Sequence, residues 1–265
     1  MKAIILAAWF GTRMLPITKT IPKELLPVWN KPVIQYAVEW LVDAWIKNIL
    51  MVTSQWKKAL EDYFDKNYEL EDLLQKKWKL DLLELINKPK ELANYIFVKQ
   101  SEQLWTWHAV LQTKPRMPWD YFIVVYGDAI YPPEMFTDMI KLYEEKKSPI
   151  LAVHEVPMQE VSKYWVIKLD WNKVIDISEK PKMEDAPSNL ILNWVFILPR
   201  EIFKILSETK PDQKSWEIYL TDALKTLMDM MDVLYLKVRP FRDVWSPEAL
   251  LKANVYYAQN SGKLF

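Results

Sequence analysis

Short apolar runs alternate with amphipathic segments along this chain, and the two patterns predict different elements. Uninterrupted apolar runs are typical of buried strands, whereas apolar residues spaced roughly three to four apart indicate one face of a helix. We predict strands near 3–8, 48–53, 95–98, 121–126, 150–155, 164–169, 173–178, 190–198 and 232–239. We predict helices near 32–44, 56–65, 69–86 with a break, 106–114, 133–146, 199–207, 217–231 and 246–258.

The order of these elements predicts an α/β fold. Strand and helix alternate through the first half, which indicates a largely parallel sheet covered by helices on both faces. Tight returns such as 164–178 predict antiparallel strands added in the second half. No linker, repeat or low-complexity segment divides the sequence, so we predict one domain over residues 1–265, made of halves 1–130 and 131–265.

Composition excludes several classes of function. Lys and Arg total 35, as do Asp and Glu, and a balanced chain is not expected to coat a polyanion, so we expect no nucleic-acid partner. The sequence has no cysteine, which excludes disulfides and thiol nucleophiles and suits a reducing cytoplasm. No apolar run approaches the ~18 residues of a membrane span, so we expect no membrane partner.

Glycine and tryptophan depart from ordinary usage. The chain has 3 Gly and 14 Trp, whereas glycine usually makes up about 7% of a soluble domain. Trp45 follows a helical pattern where glycine commonly ends a helix, and Trp171 lies between two strands at a turn position. Trp105, Trp107 and Trp194 have similar contexts. Our hypothesis is a glycine-containing parent in which glycines read as Trp; the alternative is a naturally Trp-rich protein, and alignment of a close relative distinguishes the two.

The loop after the first strand carries candidate chemistry. Ala7 and Ala8 end the apolar run, and the loop then supplies small and cationic residues, Gly11, Thr12, Arg13 and Lys23. This is the layout of a phosphate-binding loop at the carboxyl end of a strand. A second strand, ending in Gly127-Asp128, is expected to place its carboxylate in the same crevice.

Three classes of phosphate-binding loop fit the first of these segments to different degrees. A Walker A loop ends in Gly-Lys-[Ser/Thr], which is absent here. A dinucleotide-binding loop leads straight into a helix, but Pro16, Pro22 and Pro27 oppose one. The third class is a long, proline-braced loop that brings Arg13 and Lys23 onto a triphosphate.

Residues 7–16, Ala-Ala-Trp-Phe-Gly-Thr-Arg-Met-Leu-Pro, together with Pro22-Lys23-Glu24-Leu25-Leu26-Pro27 and Lys31-Pro32, resemble the sugar nucleotidyltransferase signature. Within that family the chain is most similar to the UTP–glucose-1-phosphate uridylyltransferases of bacteria and archaea, over essentially its whole length. Trp9 departs from the pattern, which has glycine there. The resemblance implies a Rossmann-like three-layer α/β/α nucleotidyltransferase fold with a mixed, mainly parallel central sheet. It also implies a nucleotide-binding half, 1–130, and a sugar-phosphate-binding half, 131–265.

The resemblance implies roles for individual residues on the nucleotide side. The catalytic residues are Arg13, Lys23 and Asp128. Nucleotide binding falls to Ala7, Ala8, Gly11, Thr12, Arg13, Lys23, Gln103 and Gly127, with the amide of Gln103 reading the uracil edge. Mg²⁺ is the implied cofactor, held by Asp128 and by Asp243 of Arg-Asp-Val-Trp-Ser, because it suits a few carboxylates plus substrate phosphates. His108 is expected to pack at a helix start rather than act as an acid or base.

On the sugar side the resemblance implies binding by Glu179 and Lys180, from a Glu-Lys-Pro motif, and by Asn193. Tyr164-Trp165-Val166 and Asn193-Trp194-Val195 match segments with a central glycine that line the sugar pocket.

The function implied by the resemblance is transfer of UMP from UTP to glucose 1-phosphate, giving UDP-glucose and pyrophosphate by Mg-assisted in-line attack on the α-phosphate. Two alternatives stay open: another sugar-1-phosphate nucleotidylyltransferase, such as one using dTTP with glucose 1-phosphate, or a non-catalytic regulatory subunit that binds a nucleotide sugar. The expected partners are UTP, glucose 1-phosphate and further copies of the chain in a dimer or tetramer. Because bulk at glycine positions strains the backbone, the chain with tryptophan at these sites is expected to be poorly folded or inactive.

Overall fold

The computed structural model describes residues 1–102, 105–209 and 220–260. Its strands are β1 Lys2–Leu6, β2 Pro27–Val28, β3 Lys31–Pro32, β4 Asn48–Thr53, β5 Asn94–Lys99, β6 Tyr121–Tyr126, β7 Ala129–Ile130, β8 Ile150–Glu155, β9 Trp165–Asp170, β10 Lys173–Glu179, β11 Leu190–Pro199, β12 Val233–Lys237 and β13 Arg242–Asp243. Its helices are α1 Val33–Asp43, α2 Lys58–Tyr63, α3 Tyr68–Lys76, α4 Leu80–Leu92, α5 Trp105–Gln112, α6 Glu134–Lys146, α7 Ile202–Glu208, α8 Leu220–Met230 and α9 Pro247–Gln259.

Within the described residues, one nine-stranded sheet organises the fold, in the order β5-β4-β1-β6-β11-β8-β12-β10-β9. The first four strands are mutually parallel. Beyond them β11 runs antiparallel to both β6 and β8, and β12 returns parallel to β8. The carboxyl ends of β1, β4, β5 and β6 therefore lie along one edge of the sheet.

Two hydrophobic cores lie on the two faces of this sheet and make three layers. One face packs against α5, α7 and α8, and the other against α1, α2 and α6. Every residue of β1 is buried, which explains its unbroken apolar pattern: a central parallel strand is covered on both faces. The predicted α/β/α architecture with a mixed central sheet is confirmed; its parallel pairings join β5, β4, β1 and β6 and link β8 to β12, and its other pairings are antiparallel. None of the helices among the described residues is long and apolar enough to cross a membrane.

The predicted elements correspond closely to the observed ones. The break expected within 69–86 separates α3 from α4, at Trp78. The two-residue ladders β2–β3 and β7–β13 were not predicted, because strands so short carry no hydrophobic period.

Positive φ values among the described residues fall mainly on tryptophan. Values between 52° and 64° occur at Trp29, Trp45, Trp78, Trp171 and Trp194. The other non-glycine residues with positive φ in this part of the chain are Lys147 and Lys180. A side chain in this region costs ~1–2 kcal/mol, which is why glycine normally occupies it.

Each of the five tryptophans has a local backbone reason for this conformation. Trp45 and Trp78 lie two residues after the last residues of α1 and α3. After α1, for example, the amide of Trp45 donates to Val42 and that of Ile46 to Leu41, both at 2.9 Å. This pair of bonds is the Schellman motif, whose left-handed residue is usually glycine.

The other three lie in strand connections. Trp29 and Trp171 begin the two-residue loops of the β2–β3 and β9–β10 hairpins, where such loops need positive φ. Trp194 lies where the register of β11 against β8 shifts, as at a β-bulge. The expectation of glycine-like positions is thus confirmed for Trp45, Trp171 and Trp194. Trp107, by contrast, lies inside α5, is buried and packs on Phe196.

Candidate active site

A cavity of about 400 Å³ opens at the carboxyl ends of β1 and β6. Ligands of open α/β sheets bind at this edge. The cavity is lined by six of the residues predicted for the nucleotide side, Ala8, Gly11, Thr12, Arg13, Lys23 and Asp128. The structure therefore brings the loop after β1 and the acid after β6 together, as the sequence predicts.

Gly11 lets the loop after β1 fold tightly against Lys23. Its φ is +72°, and a Cβ built on it would lie 3.0 Å from the Lys23 Cδ atom. The Thr18 hydroxyl donates to the Gly11 carbonyl at 2.8 Å and braces the turn. Only glycine satisfies both the left-handed backbone and the close approach of the lysine stem.

Lys23 forms an ion pair with Asp128, so the predicted cation and the predicted metal ligand are in direct contact. Burial alone would lower the pKa of Lys23, and Arg13 acts in the same direction, but attraction to Asp128 and Glu24 prevails and raises that pKa. Lys23 is therefore charged at neutral pH. Arg13 and Lys23 together supply two cations to one cavity wall, which is the requirement for holding a polyphosphate.

Asp128 can accept a further ligand. Its Oδ1 atom is buried and has no hydrogen-bond partner among the described residues, although a buried carboxylate oxygen normally has one. Asp243 is nearby in the fold because β13 pairs with β7, which places it opposite Ala129, the residue after Asp128. Asp243 is itself exposed and does not line the cavity. The unpartnered Oδ1 atom of Asp128 is therefore the feature that fits a hard divalent cation which also takes substrate oxygens, with Asp243 on the adjoining strand as the predicted second ligand.

Two of the residues predicted for nucleotide binding do not line the cavity. Ala7 is buried in the core, and its amide donates to Val52 at 2.9 Å. Gly127 packs under the site, since a Cβ there would lie 3.1 Å from Ile5 Cγ2. Gln103 lies outside the described residues.

Gln100 is a cavity residue that the sequence reasoning missed. It follows β5 directly, is buried, and carries the donor–acceptor amide that was sought at Gln103. His108 lies between two amides, with its Nδ1 atom 3.2 Å from Gln100 and its Nε2 atom 2.8 Å from Gln112. This arrangement fits the packed role expected of His108. The signal available in the sequence was position, because Gln100 follows a parallel strand at the same edge as Asp128.

On the sugar side, two indoles separate the predicted residues from the cavity. Glu179 and Lys180 are exposed at the end of β10, and Lys180 Nζ lies 5.0 Å from the ring centre of Trp165. Trp165 packs edge-on against Trp194 at 4.9 Å, and Trp194 against Tyr126 at 5.7 Å. Because Tyr126 lines the cavity, a series of contacts through Trp194 and Trp165 lies between the cavity and Lys180.

Asn193, which precedes Trp194 in the chain, is also buried. Its side chain is fully buried, with Nδ2 4.0 Å from Met135 Sδ, and Oδ1 has no hydrogen-bond partner in the described part of the chain. Asn193 does not line the cavity. The structure therefore gathers six of the predicted nucleotide-side residues at the cavity, whereas Glu179, Lys180 and Asn193 do not line it.

Comparison with known proteins agrees with this geometry. The Nucleotidyl transferase family model matches residues 2–260. A protein of Methanocaldococcus jannaschii is 42% identical over 96% of this chain and 92% of its own length. The UTP–glucose-1-phosphate uridylyltransferase of Staphylococcus epidermidis is 38% identical, covering 97% of this chain and 92% of its own. The structure of a UTP-bound UGPase from Acinetobacter baumannii superposes with a TM-score of 0.91 at 33% identity, covering 99% of this chain and 95% of its own. The resemblance expected from the motifs is confirmed, and the chain belongs to the nucleotidyl transferase family.

Proposed function

We propose that this protein transfers UMP from UTP to glucose 1-phosphate, forming UDP-glucose and pyrophosphate. The observation that carries the proposal is the convergence of Arg13, Lys23 and Asp128 on one cavity at the edge of the sheet where such folds bind ligands. Relatives named for this reaction share the sequence over nearly its full length.

The reaction needs positioned positive charge more than a covalent nucleophile. A sugar phosphate and a triphosphate are both anions, so their approach is opposed until cations neutralise them. Arg13 and Lys23 supply that charge from the wall of the cavity. Backbone N–H groups around Gly11 and Thr12 add fixed dipoles at the same place.

We propose Mg²⁺ as the cofactor, held by Asp128 and Asp243 together with substrate oxygens. When bound it would neutralise phosphate charge and polarise the phosphoryl group that is attacked. The free Oδ1 of Asp128 supports this assignment. Lys23, as the present partner of Asp128, fixes the carboxylate at the cavity wall.

Gln100 is our choice for recognition of the base. A side-chain amide offers one donor and one acceptor, which matches the edge of uracil. The contact with His108 holds this amide at the wall of the cavity. Thymine shares that edge, so Gln100 does not by itself separate UTP from dTTP, and dTTP remains the second candidate nucleotide.

The active form, in this proposal, carries glycine at the tryptophan positions. Five tryptophans occupy left-handed backbone, Trp9 and Trp245 line the cavity, and Trp165 with Trp194 fills the path to Lys180. Glycine at 165 and 194 would remove both indoles and join the sugar-side residues to the cavity. We call the chain with glycine at all fourteen tryptophan positions the glycine variant.

The direct test is product formation by the glycine variant. With UTP, glucose 1-phosphate and Mg²⁺ it is expected to release pyrophosphate and UDP-glucose in equal amounts, and the chain as written is expected to release neither. A catalytic site is supported if Asp128→Ala and Lys23→Ala abolish release. Binding of UDP-glucose without turnover would instead support the regulatory subunit, and faster turnover with dTTP would support the thymidylyl alternative.

We further propose that the protein is a cytoplasmic homo-oligomer, a dimer or tetramer, and that residues 1–265 form a single domain with a nucleotide half, 1–130, and a sugar half, 131–265. Exposed leucines along α3 and α4, Leu70, Leu73, Leu80, Leu82 and Leu85, support association. The shared nine-stranded sheet supports the single domain. Light scattering tests the oligomeric state, and a monomer would contradict it. Calorimetry tests the single domain: one unfolding transition is expected, and two transitions would contradict it.

A further inference from the structure

Glu24, the residue after Lys23, forms a buried ion pair with Lys57. Lys57 Nζ is 2.7 Å from both carboxylate oxygens of Glu24, and neither side chain is more than 1% exposed. Charged groups are rarely buried so completely unless each satisfies the other. Neither residue was assigned a role from the sequence, because burial of a lysine leaves no mark in the hydrophobic pattern.

The pair joins two segments that meet at the cavity. Glu24 follows Lys23 in the loop after β1 and itself lines the cavity. Lys57 begins the turn into α2, where its amide donates to Ser54 at 3.1 Å, just after β4 ends. The ion pair therefore ties the lysine-bearing loop to the end of the neighbouring parallel strand.

Positively and negatively charged side chains alternate in this group of four residues. Lys57 pairs with Glu24, and Lys23, the next residue in the chain, pairs with Asp128. Burial lowers the pKa of Lys57 and raises that of Glu24, and each charge partly offsets the effect on the other. Two 2.7 Å contacts from one ammonium to both carboxylate oxygens have the geometry of a charged pair.

We propose that Glu24 and Lys57 are positioning residues, whose ion pair fixes the loop so that the Lys23 ammonium reaches the triphosphate. The inference rests on the proposed function, because it takes Lys23 to be a phosphate-binding group. It adds a requirement that the site residues alone do not show: the loop that carries Lys23 must be fixed by the Glu24–Lys57 ion pair, in addition to the contact between Lys23 and Asp128.

The test separates positioning from stability. Removing one partner leaves a buried charge and destabilises the fold, whereas replacing both by apolar residues of similar size is often neutral. In the glycine variant, Lys57→Met alone should lower the melting temperature and activity together. The double change Glu24→Met with Lys57→Met should recover the melting temperature of the glycine variant while kcat stays down by about 100-fold, the cost of misplacing a catalytic group by about 1 Å. Lys57→Arg, which keeps the charge, should recover most of the kcat.

Lys58→Met is the matched control. Lys58 adjoins Lys57 but pairs with Asp62 on the exposed face of α2, so its loss should leave kcat unchanged. A double variant with the melting temperature and kcat of the glycine variant would overturn the positioning role. If the double variant does not refold, Lys57→Arg decides: kcat within twofold of the glycine variant supports the proposal, and a loss as large as that of Lys57→Met overturns it. If the glycine variant itself makes no UDP-glucose, the proposed function fails. The placement of Lys23 is then tested separately, by calorimetric binding of inorganic tripolyphosphate to the same variants. Weaker binding by the double variant than by the glycine variant supports the positioning role, and equal binding overturns it.

Discussion

The nucleotide side and the sugar side of the site differ in how far this chain assembles them. On the nucleotide side, Arg13, Lys23 and Asp128 share one cavity, and Gly11 still provides the turn that lets Lys23 approach. On the sugar side, Lys180 lies beyond Trp165 and Trp194.

This difference between the two sides corresponds to where the chain has glycine. Gly11 and Gly127, the two glycines in the described part of the chain, both lie at the nucleotide side, and each has a neighbouring side chain within 3.1 Å of where a Cβ would be. On the sugar side the corresponding central positions of two motifs carry indoles. The polar groups that define a motif are therefore insufficient; the residues without side chains create the space in which those groups act.

The largest expected effect is on the nucleotide side. In the glycine variant, Lys23→Ala should lower kcat by about 10²–10³-fold, because it removes a preorganised charge from the phosphates. Asp128→Ala should have at least as large an effect. Initial rates of pyrophosphate release measure both. Lys19→Ala is the control, since Lys19 is an exposed lysine of the same loop that does not line the cavity; an equal loss there would show that general loop charge is sufficient.

Base recognition should depend on Gln100. Gln100→Leu in the glycine variant should weaken UTP binding by roughly 10–100-fold, because a buried amide makes hydrogen bonds that leucine cannot replace. Calorimetric titration with UTP and with inorganic tripolyphosphate separates the base from the phosphates: UTP affinity should fall and tripolyphosphate affinity should not. Unchanged UTP affinity would return the role to Gln103.

The sugar side should open when its two indoles are removed. In the chain as written, Trp165→Gly with Trp194→Gly should strengthen binding of glucose 1-phosphate at least tenfold, or about 1.4 kcal/mol, as measured by calorimetry. Trp171→Gly is the control, because it relieves a left-handed residue in an exposed turn far along the hairpin. If the control strengthens binding equally, the gain comes from folding and not from space.

Replacing a tryptophan in left-handed backbone by glycine should raise the free energy of unfolding, whereas the same replacement inside a helix should lower it. Trp45→Gly, Trp78→Gly and Trp171→Gly should each raise the free energy of unfolding by ~1–2 kcal/mol, since glycine adopts positive φ without strain. Trp40→Gly, inside α1, should lower it by about 1 kcal/mol. Urea unfolding of the single variants measures this contrast, and destabilisation at all four sites would contradict the glycine hypothesis.

The smallest expected effect is the pH dependence of His154, a buried residue of β8 that packs edge-on against Phe241. Burial lowers the pKa of His154, and the neighbouring Asn193 partly opposes this. The unfolded chain therefore binds a proton that the folded chain does not as the pH falls below about 6.5.

The free energy of unfolding should accordingly fall as the pH decreases below 6.5. His154→Gln should remove that part of the slope. His108→Gln, which changes the other of the two histidines, should keep it; a slope that survives in His154→Gln would contradict the assignment.

Most of the fold was predictable because its central strands are buried on both faces. The apolar runs of β1, β4 and β6 have no other reading, and they place Asp128 at the same edge as the loop after β1. Arg13, Lys23 and Asp128 could be predicted for that reason. Glu24 and Lys57 could not, because a buried ion pair between residues 33 positions apart resembles two surface charges in the sequence. The indoles between Tyr126 and Lys180 were likewise visible only once β9 and β11 were brought side by side.

The most direct test of the account is a crystal structure of the glycine variant with UTP. The account predicts the triphosphate in the cavity, with phosphate oxygens within about 3 Å of Lys23 Nζ and the Arg13 guanidinium. A triphosphate bound elsewhere, with Arg13 directed away from the end of β6, would contradict it.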